Sequence, residues 1–158
     1  MGRPIVFGDP SKLDKTKYTR QSMARSLWYV LHALIETEEA QKYGVIVIMY
    51  PRHAQMSQLD RQLMKINAES IKSCIPLRLA AVHLCHPPVF MHIILDIMRL
   101  FLGKRLRQRI RVHSGSDEKV LQHLEEYGLP KDLIPTPLGG NVVVDPSGWV
   151  DQRLAAER

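Results

Sequence analysis

Between Lys104 and Arg111 the chain places five cations in eight residues, Lys104, Arg105, Arg107, Arg109 and Arg111. The planar fork of arginine can give two hydrogen bonds to one phosphate, so this run is suited to holding an anionic group rather than to breaking a bond. Without those five residues the net charge of +6 falls to +1, and the basic character is therefore one local patch. A charge run is also most often a solvated face with no dedicated ligand, and on residue types alone both readings stand. Seven histidines and two cysteines are the other candidates for chemistry. His83, His86 and His92 are close in sequence, but the first two flank a strand end without an acidic neighbour, which favours a core or surface role over metal ligation. Cys74 and Cys85 sit in apolar stretches outside any zinc, iron–sulfur or redox spacing, as suits a reducing, cytoplasmic compartment. The chain has no Gly-rich phosphate loop, no Gly-x-Ser-x-Gly elbow and no His-Glu-x-x-His motif. It is expected not to be an enzyme and to need neither metal nor cofactor.

The elements that must position these residues follow from apolar periodicity. Arg3–Phe7 ends at the turn cluster Gly8-Asp9-Pro10 and reads as a first strand. Thr19 can cap a helix that carries Met23, Leu27, Val30, Leu31, Leu34 and Ile35 at helical spacing and runs to Tyr43-Gly44. Val45–Met49 is apolar at every position, which a strand tolerates only when both faces are covered, as in a parallel sheet layered by helices. Gln58–Cys74 sets Leu59, Leu63, Ile66 and Ser70 on one helical face, and Pro76 stops it before a third strand at Leu77–Leu84. Pro87-Pro88 then opens a helix through Leu102 that is apolar all round except for His92, Asp96 and Arg99 on one stripe. Ile110–His113 is a fourth strand, Ser114 or Ser116 caps a helix through Tyr127, and Gly128 ends it. Pro130–Pro137 reads as a rigid extended connector, and Trp149 as the anchor of a short final helix. The order is β-α-β-α-β-α-β-α, for which right-handed crossovers predict an α/β fold with a mostly parallel sheet flanked by helices on both sides. No stretch reaches the roughly 18 apolar residues of a membrane span, so any membrane contact is peripheral.

Several of these pieces, in this order and at these intervals, resemble the CRAL-TRIO (Sec14-like) family. Gly2-Arg3-Pro4-Ile5-Val6 and Gly44-Val45-Ile46-Val47-Ile48 are similar to its first two strands. Pro76-Leu77-Arg78-Leu79-Ala80-Ala81-Val82-His83-Leu84 is similar to the strand that precedes the family's mobile gate helix. Arg99-Leu100-Phe101-Leu102 through Arg109-Ile110 is similar to its Lys-Pro-Phe-Leu stretch and the basic turns beyond, and Leu138-Gly139-Gly140 completes the pattern. The resemblance covers residues 1–140, which would form the lipid-binding domain, with 141–158 a C-terminal extension carrying a short helix. It implies one hydrophobic lipid-type ligand in an enclosed pocket, transferred or presented at membranes, with residues 88–102 as the gate.

By the same resemblance the pocket and gate would be lined by Leu27, Trp28, Leu31, Val47, Met49, Leu63, Ile66, Leu79, Ala81, His83, Phe90, Ile94, Ile97, Met98 and Phe101. Arg78, Arg99, Arg105 and Arg109 resemble the positions at which tocopherol transfer proteins of the family hold phosphoinositide phosphates, and Lys104 and Arg107 would add attraction to an anionic surface. The chain departs from the family in four places. It starts almost on the first strand, so the helical module that family members carry ahead of it is expected to be absent. Tyr50-Pro51-Arg52 stands where an acidic residue and a glycine are usual, and Cys85-His86-Pro87-Pro88 replaces an asparagine-containing turn. Ile66, with Glu69 a turn away, stands where phosphatidylinositol binders of the Sec14 type use an acid. The expected partners are a lipid, an anionic membrane surface and a possible protein partner, on a monomer. A protein-interaction scaffold without lipid is the main alternative. A nucleic-acid binder has only the basic run behind it, since aromatics total 6% and none interleaves with Lys104–Arg111. A flavodoxin-like enzyme would need catalytic residues that the sequence does not offer.

Overall fold

The computed structural model describes residues 3–73, 76–91, 93–96 and 103–157. They form two compact units, Met1–Ser114 and Gly115–Arg158. The first is built on four parallel strands, β1 (Ile5–Gly8), β2 (Val45–Met49), β3 (Leu79–Cys85) and β4 (Ile110–His113), hydrogen-bonded in the order β1-β2-β3-β4. β2 is a central strand, and Val45 and Ile48 are wholly buried, as its unbroken apolar run requires.

Helix α1 (Arg20–Leu34) crosses from β1 toward β2, and helix α3 (Arg61–Ser73) from β2 to β3. Thr19 caps α1 by accepting from the Ser22 amide at 3.1 Å, while the Ser22 hydroxyl lies 3.0 Å from the Thr19 amide, a reciprocal box with serine as its second member. One helix is expected from Thr19 to Tyr43, but the chain forms two. Thr37 starts α2 (Glu38–Tyr43), its hydroxyl accepting from the Ala40 amide at 3.3 Å and Glu38 and Glu39 meeting the positive helix end. Gly44 then turns into β2 at φ +81°, where a Cβ would come 2.4 Å from the Arg78 carbonyl oxygen, so this turn requires glycine. The starts of α1 and α3 are joined by Asp60. Its Oδ1 accepts from the amides of Gln62 and Leu63, and its Oδ2 lies 2.7 Å from Arg20 Nε. The Leu63 amide, with help from Arg20, holds this carboxyl below the usual aspartate range.

Because strand order equals chain order, right-handed crossovers all fall on one side of the sheet, not on both sides as the periodicity suggests. Contacts agree: α1 packs on α3. Leu59 and Met64 from the second crossover meet Phe90, Met91, Ile94 and Leu95 from the third over Leu84 and Met49. Registered partners in a parallel sheet share a face and neighbours along a strand alternate. One face therefore carries Val6, Val47, Met49, Val82, Leu84, Ile110 and Val112, and the other Phe7, Ile46, Ile48, Ala81, His83, Cys85 and His113.

In the second unit α5 (Asp117–Glu126) is capped by Ser116, and Gly128 follows at φ +77°. The stretch read as an extended connector is instead two short 3-10 turns, Lys131–Leu133 and Thr136–Leu138. The Thr136 amide donates to Val142 O and the Val142 amide to Ile134 O, closing the stretch on itself. Helix α6 (Pro146–Ala156) is capped by Asp145, and Trp149 on it is 37% exposed. Among the described residues no helix is long and apolar enough to cross a membrane.

Ile48 is 0% exposed at the centre of the sheet. Ile48→Ala is expected to cost about 2–5 kcal/mol, seen as a lower urea midpoint at unchanged m-value; a loss within about 0.5 kcal/mol would mean that this strand is not the core.

Candidate functional site

The Met49/Leu84 face of the sheet is where the third crossover meets the core. The segment at 88–102 starts with two tight turns, the Met91 amide donating to Pro88 O at 2.8 Å and the Ile93 amide to Phe90 O at 3.1 Å, and it is helical at residues 91 and 93–96. Met91 and Ile94 are buried against Leu84, with Phe90, Leu95, Met49, Leu59 and Met64 packed around them. On its outer side Val89 is 88% and Ile93 45% exposed. The segment thus buries apolar side chains toward the sheet, and on the outside it exposes Val89 and Ile93 together with the charged Asp96. Ile97, Met98, Arg99 and Phe101 lie outside the described residues.

The expected pocket residues that the structure describes fall into four groups. Val47, Met49, Phe90 and Ile94 come together on the gate-facing side of the sheet. Leu31, Leu63 and Leu79 are buried in the same unit, with Leu27 half-buried. Trp28 and Ile66 line a separate open groove of about 430 Å³ between α1 and α3, beside Arg20, Arg25 and Gln62. Trp28 stands over His32 there, with ring centroids 3.9 Å apart. Ala81 and His83 lie on the opposite face of the sheet from Met49.

His83 instead pairs with His113 on β4, a residue the sequence reading passed over. His83 Nδ1 lies 2.9 Å from His113 Nε2, and the rings stack with centroids 5.1 Å apart. The two side chains are 1% and 3% exposed. The signal was present in the alternation His83-x-Cys85 beside Arg111-x-His113, but it becomes visible only once β3 and β4 are known to be neighbours in this register. Burial pushes the His83 value down to about 4, and the positive charge available to His113 and Arg111 pushes the same way. Cys85, wholly buried on that face, has its thiol pushed up to about 12 by burial and is an inert core residue.

The basic residues gather where strands begin. Arg78 immediately precedes β3, is exposed and donates from Nη1 to Lys42 O at 3.4 Å. Arg109 immediately precedes β4 and donates from Nη1 to the carbonyl of Leu79, the residue next to Arg78. Lys104, Arg105 and Arg107 are exposed on α4 (Lys104–Arg107), a single turn capped by Gly103. Arg78, Arg109 and the α4 cations thus lie at the N-terminal ends of β3 and β4. Among the described residues no group of three or more His, Cys, Asp or Glu could hold a metal ion.

The depressed His83 value has a defined sign. The unfolded chain binds a proton on this residue below about pH 6.5 and the folded chain only below about 4, so stability falls as pH drops through that window and is flat above it. The expected loss is on the order of 3 kcal/mol between pH 7 and 4. Urea melts of His83→Phe against the parent should show that part of the slope removed, whereas parallel pH profiles would contradict the assignment.

The CRAL/TRIO domain model matches residues 1–140. Clavesin-2 of Homo sapiens is 26% identical over 142 residues, 88% of this chain and 42% of that protein. Tyrosine-protein phosphatase non-receptor type 9 of Mus musculus is 27% identical over 138 residues, 87% of this chain and 22% of that protein. The Sfh5 crystal structure matches at 16% identity and a TM-score of 0.49 over 87% of this chain and 55% of that one. The chain thus spans less than half the length of these curated relatives. With the domain model matching residues 1–140, a stretch that holds all four parallel strands, this chain belongs to the CRAL/TRIO domain family.

Proposed function

We propose that the chain binds one hydrophobic, lipid-type molecule between the gate segment and the Met49/Leu84 face of the sheet, and transfers or presents it at membranes. The observation that carries this reading is the two-sided apolar gate: Met91 and Ile94 are buried against Leu84, while Val89 and Ile93 face outward. A buried helix needs only the first property. A gate that opens at a bilayer needs both, because its outer side must enter the interface while its inner side leaves the core. Burying a Met or Ile side chain is worth roughly 1.5–3 kcal/mol, so opening in water would cost about twice that. Acyl chains receiving the same side chains offset the cost.

The basic edge supplies the second half of the reading. Arg78, Arg99, Lys104, Arg105, Arg107 and Arg109 would meet anionic headgroups, phosphoinositides included, at roughly 1 kcal/mol per residue near an anionic leaflet. Arg109 spends one donor on Leu79 O, which leaves the exposed Lys104, Arg105 and Arg107 as the stronger candidates. The activity is carriage rather than catalysis, with peripheral membrane contact from the cytoplasmic side and no cofactor beyond the lipid. The phosphatase relative is matched over 22% of its length, so its name carries no chemistry to this chain. A second reading, a protein-interaction scaffold without bound lipid, draws support from the open α1–α3 groove with its exposed Trp28.

Val89→Asp with Ile93→Asp changes only outward positions. Transfer of a fluorescent phospholipid between vesicles should fall by at least about tenfold, a loss of 1.4 kcal/mol, with the unfolding midpoint kept. Arg105→Glu with Arg107→Glu should slow transfer to anionic vesicles at low salt, the difference from the parent closing at high salt. Unchanged transfer in the first variant would remove the gate from the proposal, and a salt-independent effect in the second would remove the headgroup contact.

A further inference from the structure

The base of the gate segment rests on histidines. His86, the last residue before Pro87-Pro88, holds the left-handed conformation at φ 53°, an uncommon state for a side chain of this size. Its amide donates to His113 O at 2.9 Å, which fixes the strand end of β3 to that of β4. Its ring stands edge-on to Tyr50, with centroids 6.1 Å apart, and His53 approaches the same tyrosine edge-on at 6.3 Å. Tyr50 is itself buried and stacks on Phe7. The His113 that receives the His86 amide is the one whose ring is bonded to His83. Four of the seven histidines of the chain thus gather at the C-terminal ends of β2, β3 and β4, directly ahead of the gate.

The 2.9 Å contact between His83 Nδ1 and His113 Nε2 uses one N–H and one lone pair. With both rings neutral this is satisfied. A first proton can be taken on an outer nitrogen with the contact kept. A second proton must go to the accepting nitrogen between the rings, which leaves two N–H groups facing each other across a buried gap, so the pair titrates as a unit and the second step breaks it. The groups facing this pair sharpen the effect. Arg111 on β4 adds positive charge, Cys85 on the same face of β3 is neutral, and Ile48 on β2 is apolar. His86 faces Tyr50 and His53 from the end of β2 and the carbonyl of His113 from β4.

We propose that the His83–His113 pair and the left-handed His86 turn form a proton-sensitive latch at the base of the gate: closed while the pair holds at most one proton, released when it takes a second. Release separates the ends of β3 and β4, frees the His86 amide from His113 O and lets the first turn of the gate, with Met91 and Ile94, leave Leu84. Acid would thereby couple to ligand release. This rests on the gate reading above, and its test uses no lipid.

Hydrogen exchange on the full chain reads the latch directly at the Met91 and Ile93 amides, with protection factors corrected for the intrinsic rate between about pH 7 and about pH 4, a range that brackets the unperturbed and lowered histidine values. In the parent these two amides should lose protection by at least about tenfold, the size of a shift of one pKa unit. The amides of Ile46 and Tyr50, which donate to Pro4 O and Gly8 O in the sheet, should stay better protected than the gate amides throughout and fall only with the global stability read from the urea melts. His113→Gln, which meets His83 with a non-titrating amide, should flatten the response, and His83→Asn should do the same if the first variant folds poorly. Flat protection in the parent, an unaltered acid response in whichever variants fold, or gate amides that stay as protected as the sheet amides down to about pH 4 would each overturn the latch. If Val89→Asp with Ile93→Asp leaves lipid transfer unchanged, the gate reading fails while this measurement still stands on its own.

Discussion

Four parallel strands in chain order are the constraint on which the rest of this molecule depends. With right-handed connections, that order sends each crossover to the same side of the sheet and leaves the two faces with different work. One face, with Met49 and Leu84, receives the helical crossovers and the gate segment. The other holds Ile48, Cys85 and the two paired histidines buried. The alternation of a β-strand then decides by parity alone which residues share the face on which the segment after Pro88 packs. Met49 and Leu84 are on that side, and His83, one residue before Leu84, is not.

The strand ends divide labour in the same way. Where β3 and β4 begin, Arg78 and Arg109 stand beside the exposed cations of α4, so the edge is electropositive. Where they end, aromatic and imidazole rings close around Tyr50 and the chain turns through His86 into the gate. In the proposed function the electropositive edge would meet the anion and the turn at His86 would hinge the gate, so the two roles would sit at opposite ends of the sheet.

Much of this was legible in the sequence, for identifiable physical reasons. Val45–Met49 could be read as a doubly covered parallel strand because no polar residue interrupts it, and Ile110–His113 and the Thr19 cap carry strong local signals. The break at Thr37 was harder to see because the surrounding residues keep helical character, and only the cap geometry shows that a second helix begins. The arrangement of the pocket residues was hidden for the reason that made β2 easy: an apolar run hides which of its members face which side. Trp28 and Ile66 share helical faces with core residues, yet the packing of α1 on α3 turns them into an outer groove. The His83–His113 pair depends on the register of two strands 30 residues apart, which periodicity along one chain does not contain.

The central claim is that one lipid is held between the gate and the Met49/Leu84 face. Native mass spectrometry of the purified chain, before and after exposure to mixed phospholipid vesicles, tests it most directly. The account predicts one added mass per chain, released by organic solvent as a single hydrophobic molecule and lost when Leu84 is replaced by aspartate in chain that remains folded. A bare mass under both conditions, with the parent chain folded, would contradict it and leave the family's fold serving the α1–α3 groove alone.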